Sequence, residues 1–257
     1  MSPKFGANFN LNKNLGFYAN YSNGFTPPQT STLYRNRNTL FDIKPSSYDN
    51  FEIGTYAKVT KDFSADVAVY LLNGKNTLIT LRDENDAFFN TNAGETRSYG
   101  IEYGLTYTPL NDLKLTHNGT FSKHEYVSFF DRGVDYSNTN RETAPQLIGT
   151  TKVMYTPSFA KGLGITLSHK LVGKYKTSFE GQVTNDDGSK STETYAGHNI
   201  FNALVSYKYK SFDVWVHALN LFDDLYSARA SYNRFRKSNS YTISNPRAFH
   251  VGVKYNF

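Results

Sequence analysis

The last nine residues, Phe249-His250-Val251-Gly252-Val253-Lys254-Tyr255-Asn256-Phe257, alternate between apolar or aromatic side chains and polar or small ones. Successive side chains of a strand point to opposite faces. Phe249, Val251, Val253, Tyr255 and Phe257 therefore form one apolar stripe, with His250, Gly252, Lys254 and Asn256 on the other face. One face suits lipid and the other water, the pattern of a transmembrane β-barrel strand, and the stripe is read as an insertion and assembly element. The same period recurs between turn signals in about eleven segments. Phe5 to Leu11 turns at Asn12-Lys13-Asn14 into Leu15 to Tyr21. Then come Ala65 to Leu71, Tyr99 to Tyr107 and Leu113-Leu115. The later segments are Leu147 to Tyr155, Leu163 to Leu171, Phe201 to Tyr207, Phe212 to Ala218 and the terminal one. No segment reads as a helix, and none approaches the roughly 20 apolar residues of a membrane helix.

The connections alternate in length. Short turns fall at 12–14, around 59–63, 108–112, 157–162 and 209–211, and long connections at 26–47, 83–94, 127–143, 178–196 and 226–244. Short turns on one side and long loops on the other is the habit of a membrane barrel; a soluble sandwich has no reason to keep it. The last strand follows a long loop, which puts the C-terminus on the short-turn side, the periplasmic side of a bacterial outer membrane, with the long loops extracellular. The predicted fold class is an all-β transmembrane antiparallel β-barrel. About eleven strands would leave the first and last parallel, and antiparallel neighbours close a barrel only with an even number. An open edge in lipid leaves unsatisfied N–H and C=O groups at several kcal/mol apiece, so the chain is expected to be about eleven strands of a larger, here incomplete, barrel.

Composition agrees. Aromatics make up 16% of the residues, yet hydrophobic residues are only 39% and mean hydropathy is −0.55; a soluble core draws more on Leu, Ile and Ala, whereas aromatic girdles around a polar lumen give this mixture. With Cys 0, disulfide frameworks, thiolate zinc sites and cysteine nucleophiles are excluded. The formal charge of +6 is spread over turns and loops without a nucleic-acid-binding motif, so no nucleic-acid partner is expected. The six histidines have no HExxH spacing, there is no GxSxG elbow, and Asn185-Asp186-Asp187-Gly188-Ser189 lacks the later Glu of a calcium loop. Ser168 and His169 point to opposite faces and cannot form a lipase-type pair. No catalytic residue, metal or cofactor is expected, and the chain is not read as an enzyme.

Five segments carry a resemblance over nearly the whole chain. Leu15 to Pro28, with its Tyr18-Ala19-Asn20-Tyr21-Ser22-Asn23-Gly24-Phe25 run, resembles a strand and loop opening of the TonB-dependent outer-membrane receptors. Tyr48-Asp49-Asn50-Phe51-Glu52-Ile53-Gly54 and Arg97-Ser98-Tyr99-Gly100-Ile101-Glu102-Tyr103 are similar to two further strands of that family. Asn220-Leu221-Phe222-Asp223-Asp224-Leu225-Tyr226 resembles its signature turn, and Asn245-Pro246-Arg247 with the terminal Phe257 its closing strand. Such a barrel has 22 strands around a plugged lumen, so residues 1–257 are expected to be the C-terminal part of the barrel domain, with signal peptide, TonB-contact motif and plug domain absent from this chain. Several of these residues have structural roles of their own. Gly24 and Pro27-Pro28 end a strand where it leaves the membrane. Asn220 to Asp223 interrupts the alternation where side-chain oxygens can bond nearby backbone. Glu52 and Glu102 fall on the lumen-facing parity, toward water or the plug.

The resemblance implies a receptor that binds a scarce nutrient outside and releases it inward by TonB-coupled energy. Ferric siderophores are the commonest substrate class; cobalamin, haem and glycans are alternatives, as is a passive porin-like or structural barrel. Candidate ligand residues in the long loops are Tyr34, Arg35, Arg37 and Phe41; Phe88 and Phe89; Arg132, Tyr136 and Arg141; and Arg229, Tyr232, Arg234, Phe235 and Arg236. Guanidinium groups suit an anionic iron chelate and rings stack on its apolar parts; the same residues could instead meet lipopolysaccharide phosphates or simply solvate the loops. Expected partners are membrane lipid and lipopolysaccharide, the TonB complex through a missing N-terminal part, the barrel assembly machinery, and the iron-siderophore or similar ligand.

Overall fold

Alternating side chains can form a stable strand only if the ladder groups on both edges find partners and each face meets its own medium. In the structure, a computed structural model describing residues 2–28, 43–82, 88–92, 94–131, 134–179, 182–184, 190–233 and 236–257, eleven strands pair in one antiparallel sheet in sequence order, and the nine inner ones meet that condition on both edges. They are β1 (Lys4–Asn12), β2 (Leu15–Thr26), β3 (Ser46–Lys58), β4 (Phe63–Lys75), β5 (Glu95–Leu110), β6 (Leu113–Ser128), β7 (Leu147–Tyr155), β8 (Leu163–Val172), β9 (His198–Tyr209), β10 (Phe212–Leu219) and β11 (Ala248–Tyr255). β1 and β11 are the two ends of the sheet, each with a single strand neighbour. Short turns join alternate pairs; at the first, the Asn14 amide donates to the Asn12 side chain at 2.8 Å, the local bond that makes Asn a turn residue.

The register aligns the apolar stripes into a continuous belt. Ile53 faces Val69, Val69 faces Ile101, and Ile101 faces Phe121, and all four remain 46–69% exposed. At the other end of the sheet Val205, Val216 and Val251 continue the belt in the same way. Aromatic rows border it. On the long-connection side Phe5 stacks on Tyr21 and Tyr21 packs against Phe51 with centroids 4.9 Å apart. On the short-turn side Phe63 meets Tyr107, and Phe212, Tyr255 and Phe257 follow one another at 5.0 Å. From Tyr99 to Tyr107 is about nine residues, the length with which a tilted strand crosses a bilayer core.

A polar row on the same face closes the belt. Asn23, Asp49, Asn73, Arg97 and Glu125 are register neighbours across β2 to β6. The Asn23 amide donates to Asp49 at 2.9 Å, Arg97 donates to Asn73 at 3.3 Å, and Lys123 pairs with Glu125 at 2.6 Å. Residues beyond this row lie outside the membrane-spanning part of their strands. The opposite face carries Glu52, Asp66, Glu102, Asn118, Lys152 and Lys170, with aromatic rings laid over glycines: Tyr18 covers Gly54 and Trp215 covers Gly252, where a Cβ would collide with the ring. Two histidines of the apolar face are tied to polar neighbours: His117 bridges Tyr103 and Thr151, while His169 stacks on Phe201 and bonds Asn199.

Beyond the belt the long connections, read in the sequence as loops, contain five two-stranded pairings among the described residues; residues 227–233 pair with 238–243, for example. Three connections lock together there. Phe179 inserts among Tyr126, Phe129 and Tyr136, with centroids 4.9–5.9 Å from its own. The Ala230 amide donates to the Tyr175 hydroxyl at 2.9 Å and the Ser227 amide to the Tyr195 hydroxyl at 3.1 Å, and Thr177 bonds Asn239 at 2.6 Å. The buried residues Val172, Tyr175, Tyr195 and Ala230 form the second small core of this assembly. The turn after β10 is held in the same spirit: Asn220 and Asp223 adopt φ of 50° and 60°. The Asn220 side chain donates to the Asp224 and Asn245 carbonyls, and Asp223 accepts from the Arg247 amide at 2.7 Å, so the signature turn and the Asn245-Pro246-Arg247 segment form one unit.

Two predictions follow from the faces and the latch. Val69→Arg, in the belt, should lower folding stability in lipid vesicles by about 2–4 kcal/mol. Asn118→Arg, beside Asp66 and Glu102 on the polar face, should leave the urea midpoint near that of the parent. Phe179→Ala should raise amide exchange at Tyr136 and Asn138 roughly tenfold or more by opening the aromatic cluster locally, while exchange in β4 and β5 stays unchanged.

Candidate functional site

The strand ladder continues past the belt and builds a basic recess. The Ser122 amide donates to the Gln146 carbonyl, Arg141 to His124, and Tyr126 to Thr139, so the chain returning from residue 138 runs beside the upper part of β6. Gly173 donates to Leu147 and Thr143 to Lys176, which brings the start of the next connection alongside. Between them lies a half-open cavity of about 320 Å³ whose lining includes His124, Asn140, Arg141, Gln146, Lys174 and Lys176. His124 shares its face of β6 with Asn118 and Ser122, the polar face of the sheet.

The electrostatics of the recess are one-sided. Among the described residues its lining holds the cations Arg141, Lys174 and Lys176 and no carboxylate. Among the described residues, no ion pair involves any of the three. Of the nearby acids, Glu142 accepts the Tyr126 hydroxyl at 2.9 Å, on the same tyrosine that Arg141 faces, and Glu193 accepts the Asn239 amide at 3.1 Å. The Arg141 guanidinium stands 5.9 Å from the centre of the Tyr126 ring, a cation–π arrangement. Burial and the Glu142 carboxylate raise the Tyr126 hydroxyl, so it stays protonated as a donor. Hydrogen bonds from Ser137 lower the Asp135 carboxyl.

The candidates read from the sequence fall in different places. Arg141 lines the recess. Tyr136 packs in the aromatic cluster with Phe129 and Phe179. The Tyr232 amide donates to the Thr177 carbonyl at 3.0 Å, inside the latched assembly, and the Arg229 carbonyl accepts from Ser227. Arg236 is exposed, its amide bonded to Asn233. Phe88 and Phe89 begin a strand whose backbone pairs with Arg82 and Leu81. Tyr34, Arg35, Arg37, Phe41, Arg132, Arg234 and Phe235 lie outside the described residues. His124, Lys174 and Lys176 were not among the candidates. The period-2 spacing Lys170, Val172, Lys174, Lys176 continues β8 past the belt and would have pointed to two of them. A second recess of about 330 Å³ on the polar face is lined by Asp66, Glu102, Asn118 and Thr150 among others. The C-terminal stripe lies on the apolar face, with Phe249, Val251, Val253 and Tyr255 all about half exposed or more.

Comparison with known proteins agrees with this architecture. The ferric-catecholate import receptor Fiu from E. coli has a TM-score of 0.71 at 20% identity, covering 99% of this chain and 34% of its own. The ferric yersiniabactin uptake receptor FyuA from Yersinia pestis gives 0.71 at 18%, covering 99% and 37%. The ferric citrate transporter FecA gives 0.73 at 20%, covering 98% and 38%. The chain thus spans little more than a third of the solved structures it matches, and at these identities the likeness is one of fold. A family model described as TonB dependent receptor-like, beta-barrel, matches residues 1–222. A match over that length, on a chain folded as an open eleven-stranded antiparallel sheet, means that this protein belongs to the TonB-dependent receptor β-barrel family.

Proposed function

We propose that the chain is the C-terminal part of the barrel of a longer outer-membrane import receptor, which binds a scarce nutrient at its extracellular side and releases it inward by energy coupled through TonB. The observation that carries this reading is the basic recess held by latched connections beyond the belt, on a chain of the TonB-dependent receptor family. A ferric siderophore is the first choice of ligand. The similar solved proteins named for ferric-catecholate import, ferric yersiniabactin uptake and ferric citrate transport support that choice, and the cations of the recess suit an anionic chelate.

The long connections are extracellular in this reading and the C-terminus periplasmic. The two open edges, β1 and β11, would be completed by further strands, because unpaired peptide groups do not persist against acyl chains. Glu52, Asp66 and Glu102 would face water or the plug of the longer receptor. The row from Asn23 to Glu125 would lie at the headgroups, in reach of lipopolysaccharide, and the terminal stripe from Phe249 to Phe257 would be read by the barrel assembly machinery. Among the loop candidates, Arg141 is the one favoured for ligand contact, because it lines the recess.

The test is uptake of radio-iron presented as a ferric catecholate, as ferric citrate and as a ferric hydroxamate, in the host cell and in a strain deleted for the gene. Uptake of at least one chelate should fall on deletion, and a proton uncoupler should bring the parent down to the same level. Uptake of all three that is indifferent to deletion would overturn the siderophore reading, and deletion-sensitive uptake that survives the uncoupler would point to a passive pore.

A further inference from the structure

The six histidines divide into two groups. His117 bonds Tyr103 and Thr151, His124 bonds Ser98 and Ser122, His169 bonds Asn199, and His198 bonds Tyr195. Among the described residues, His217 and His250 make no side-chain hydrogen bond. These two are register partners, directly opposite one another on β10 and β11. Val216 and Val251, their chain neighbours, meet in the apolar belt, so both imidazoles belong to the polar face of the sheet. Directly opposed residues of an antiparallel pair have Cβ atoms about 4.5–5.5 Å apart, close enough for each ring to bring one nitrogen to a common point. Apolar side chains fill the facing positions around them. Leu204 is opposite His217 on β9, Leu219 and Ala248 pair on one side, and on the other the Trp215 ring lies over Gly252. Asp213, further along this face of β10, stands 4.0 Å from Lys208 as its ion-pair partner.

We infer that His217 and His250 form a two-imidazole site for a hydrated divalent ion of the late first-row transition metals, with copper bound ahead of nickel or zinc. Imidazole nitrogen suits these ions, and at a given nitrogen site copper stands at the top of the affinity order. Magnesium and calcium take oxygen ligands and lose nothing by passing such a pair. At metal–nitrogen distances of about 2.0–2.1 Å, the two ligating nitrogens come to about 3 Å from one another, a separation that rings on directly opposed strand positions can reach. Two imidazoles fill half of a four-coordinate shell, and the remaining positions are open to water or to a group that arrives with the ion. No hydrogen bond from the described residues fixes the second nitrogen of either ring, so the ion is held less tightly than in a site with such support, which suits exchange with the surrounding water. The site lies at the β10–β11 end of the sheet, away from the basic recess, and does not rest on the siderophore reading. An iron already enclosed by its chelator has no position left for an imidazole.

The experiment is a titration of the untagged, metal-stripped gene product carrying this chain, in detergent, with cupric chloride, followed by electron paramagnetic resonance. One copper equivalent of the parent should show nitrogen coordination and bind roughly tenfold or more weakly in His217→Ala and in His250→Ala alike. The double variant should lose no more than either single one, His169→Ala should keep the parent's binding, and excess magnesium should not displace the copper. All forms should keep the same β-sheet circular dichroism. A second measurement needs no variant: zinc should shield both His217 and His250 of the parent from acylation by diethyl pyrocarbonate, read peptide by peptide in a mass spectrometer. Copper binding unchanged by either alanine, weakened by only one of them, or reversed by magnesium would overturn the inference, and so would equal acylation with and without zinc. The titration needs neither a siderophore nor a proton gradient, so its failure leaves energy-coupled uptake standing, and a failure of uptake leaves the metal site standing.

Discussion

A peptide group among acyl chains has no water to bond, and leaving its N–H or C=O unpaired costs several kcal/mol. Within the belt this fixes almost everything else about the chain. A strand there needs a ladder partner on each edge, the nearest partner is the next strand along the chain whether a short turn or a long connection joins them, and the result is eleven strands in sequence order. Register then follows from the faces, because a slip of one residue would carry a whole apolar stripe to the polar side. The row Ile53, Val69, Ile101 and Phe121 is the outcome: four residues from four strands that meet only because each hairpin has the register that keeps the belt continuous.

Beyond the belt the constraint relaxes, and the structure changes character where it does. Water can satisfy either face, so strands no longer need an apolar side, and the connections fold into hairpins held by specific polar contacts. Tyrosine hydroxyls, the Thr177 to Asn239 bond and the insertion of Phe179 take over the work of burial. The recess depends on both regimes. His124 is placed by a strand that begins in the belt, Lys174 lies just past the end of another, and their neighbours Arg141 and Lys176 are placed by backbone bonds to His124 and Thr143. A rigid lower wall and a stapled upper one hold like charges together where a free loop would let them separate.

How much of this could be read from the sequence depended on which medium each residue meets. The alternation of Phe249 to Phe257, or of Leu15 to Tyr21, is legible because lipid on one face forces it. The hairpin of residues 227–233 and 238–243 was missed because its packed face is made of small residues, Ser227 and Ala230 against Tyr195 and Tyr175, so no apolar period marks it. Asn220 and Asp223 were legible as turn formers, but their partners Asn245 and Arg247 were not, since that contact closes only after the intervening hairpin has folded. Arg141 could be picked out as a loop cation. That it meets Lys174 and Lys176 is set by pairing across dozens of residues, and local pattern does not carry that information. Tyr136 was selected for its ring, which packs in the aromatic cluster with Phe129 and Phe179.

The central claim is that the sheet has one side against acyl chains and one against water. It can be measured directly because the sequence has Cys 0, so single cysteines can be introduced without background. Nitroxide labels placed in turn at Val67, Ala68, Val69, Tyr70 and Leu71 of the gene product in lipid vesicles would report collision with dissolved oxygen, which concentrates in lipid, and with a water-soluble nickel chelate. The account requires oxygen to dominate at 67, 69 and 71 and nickel to gain at 68 and 70. Accessibility without that alternation, or with its phase reversed, would contradict it.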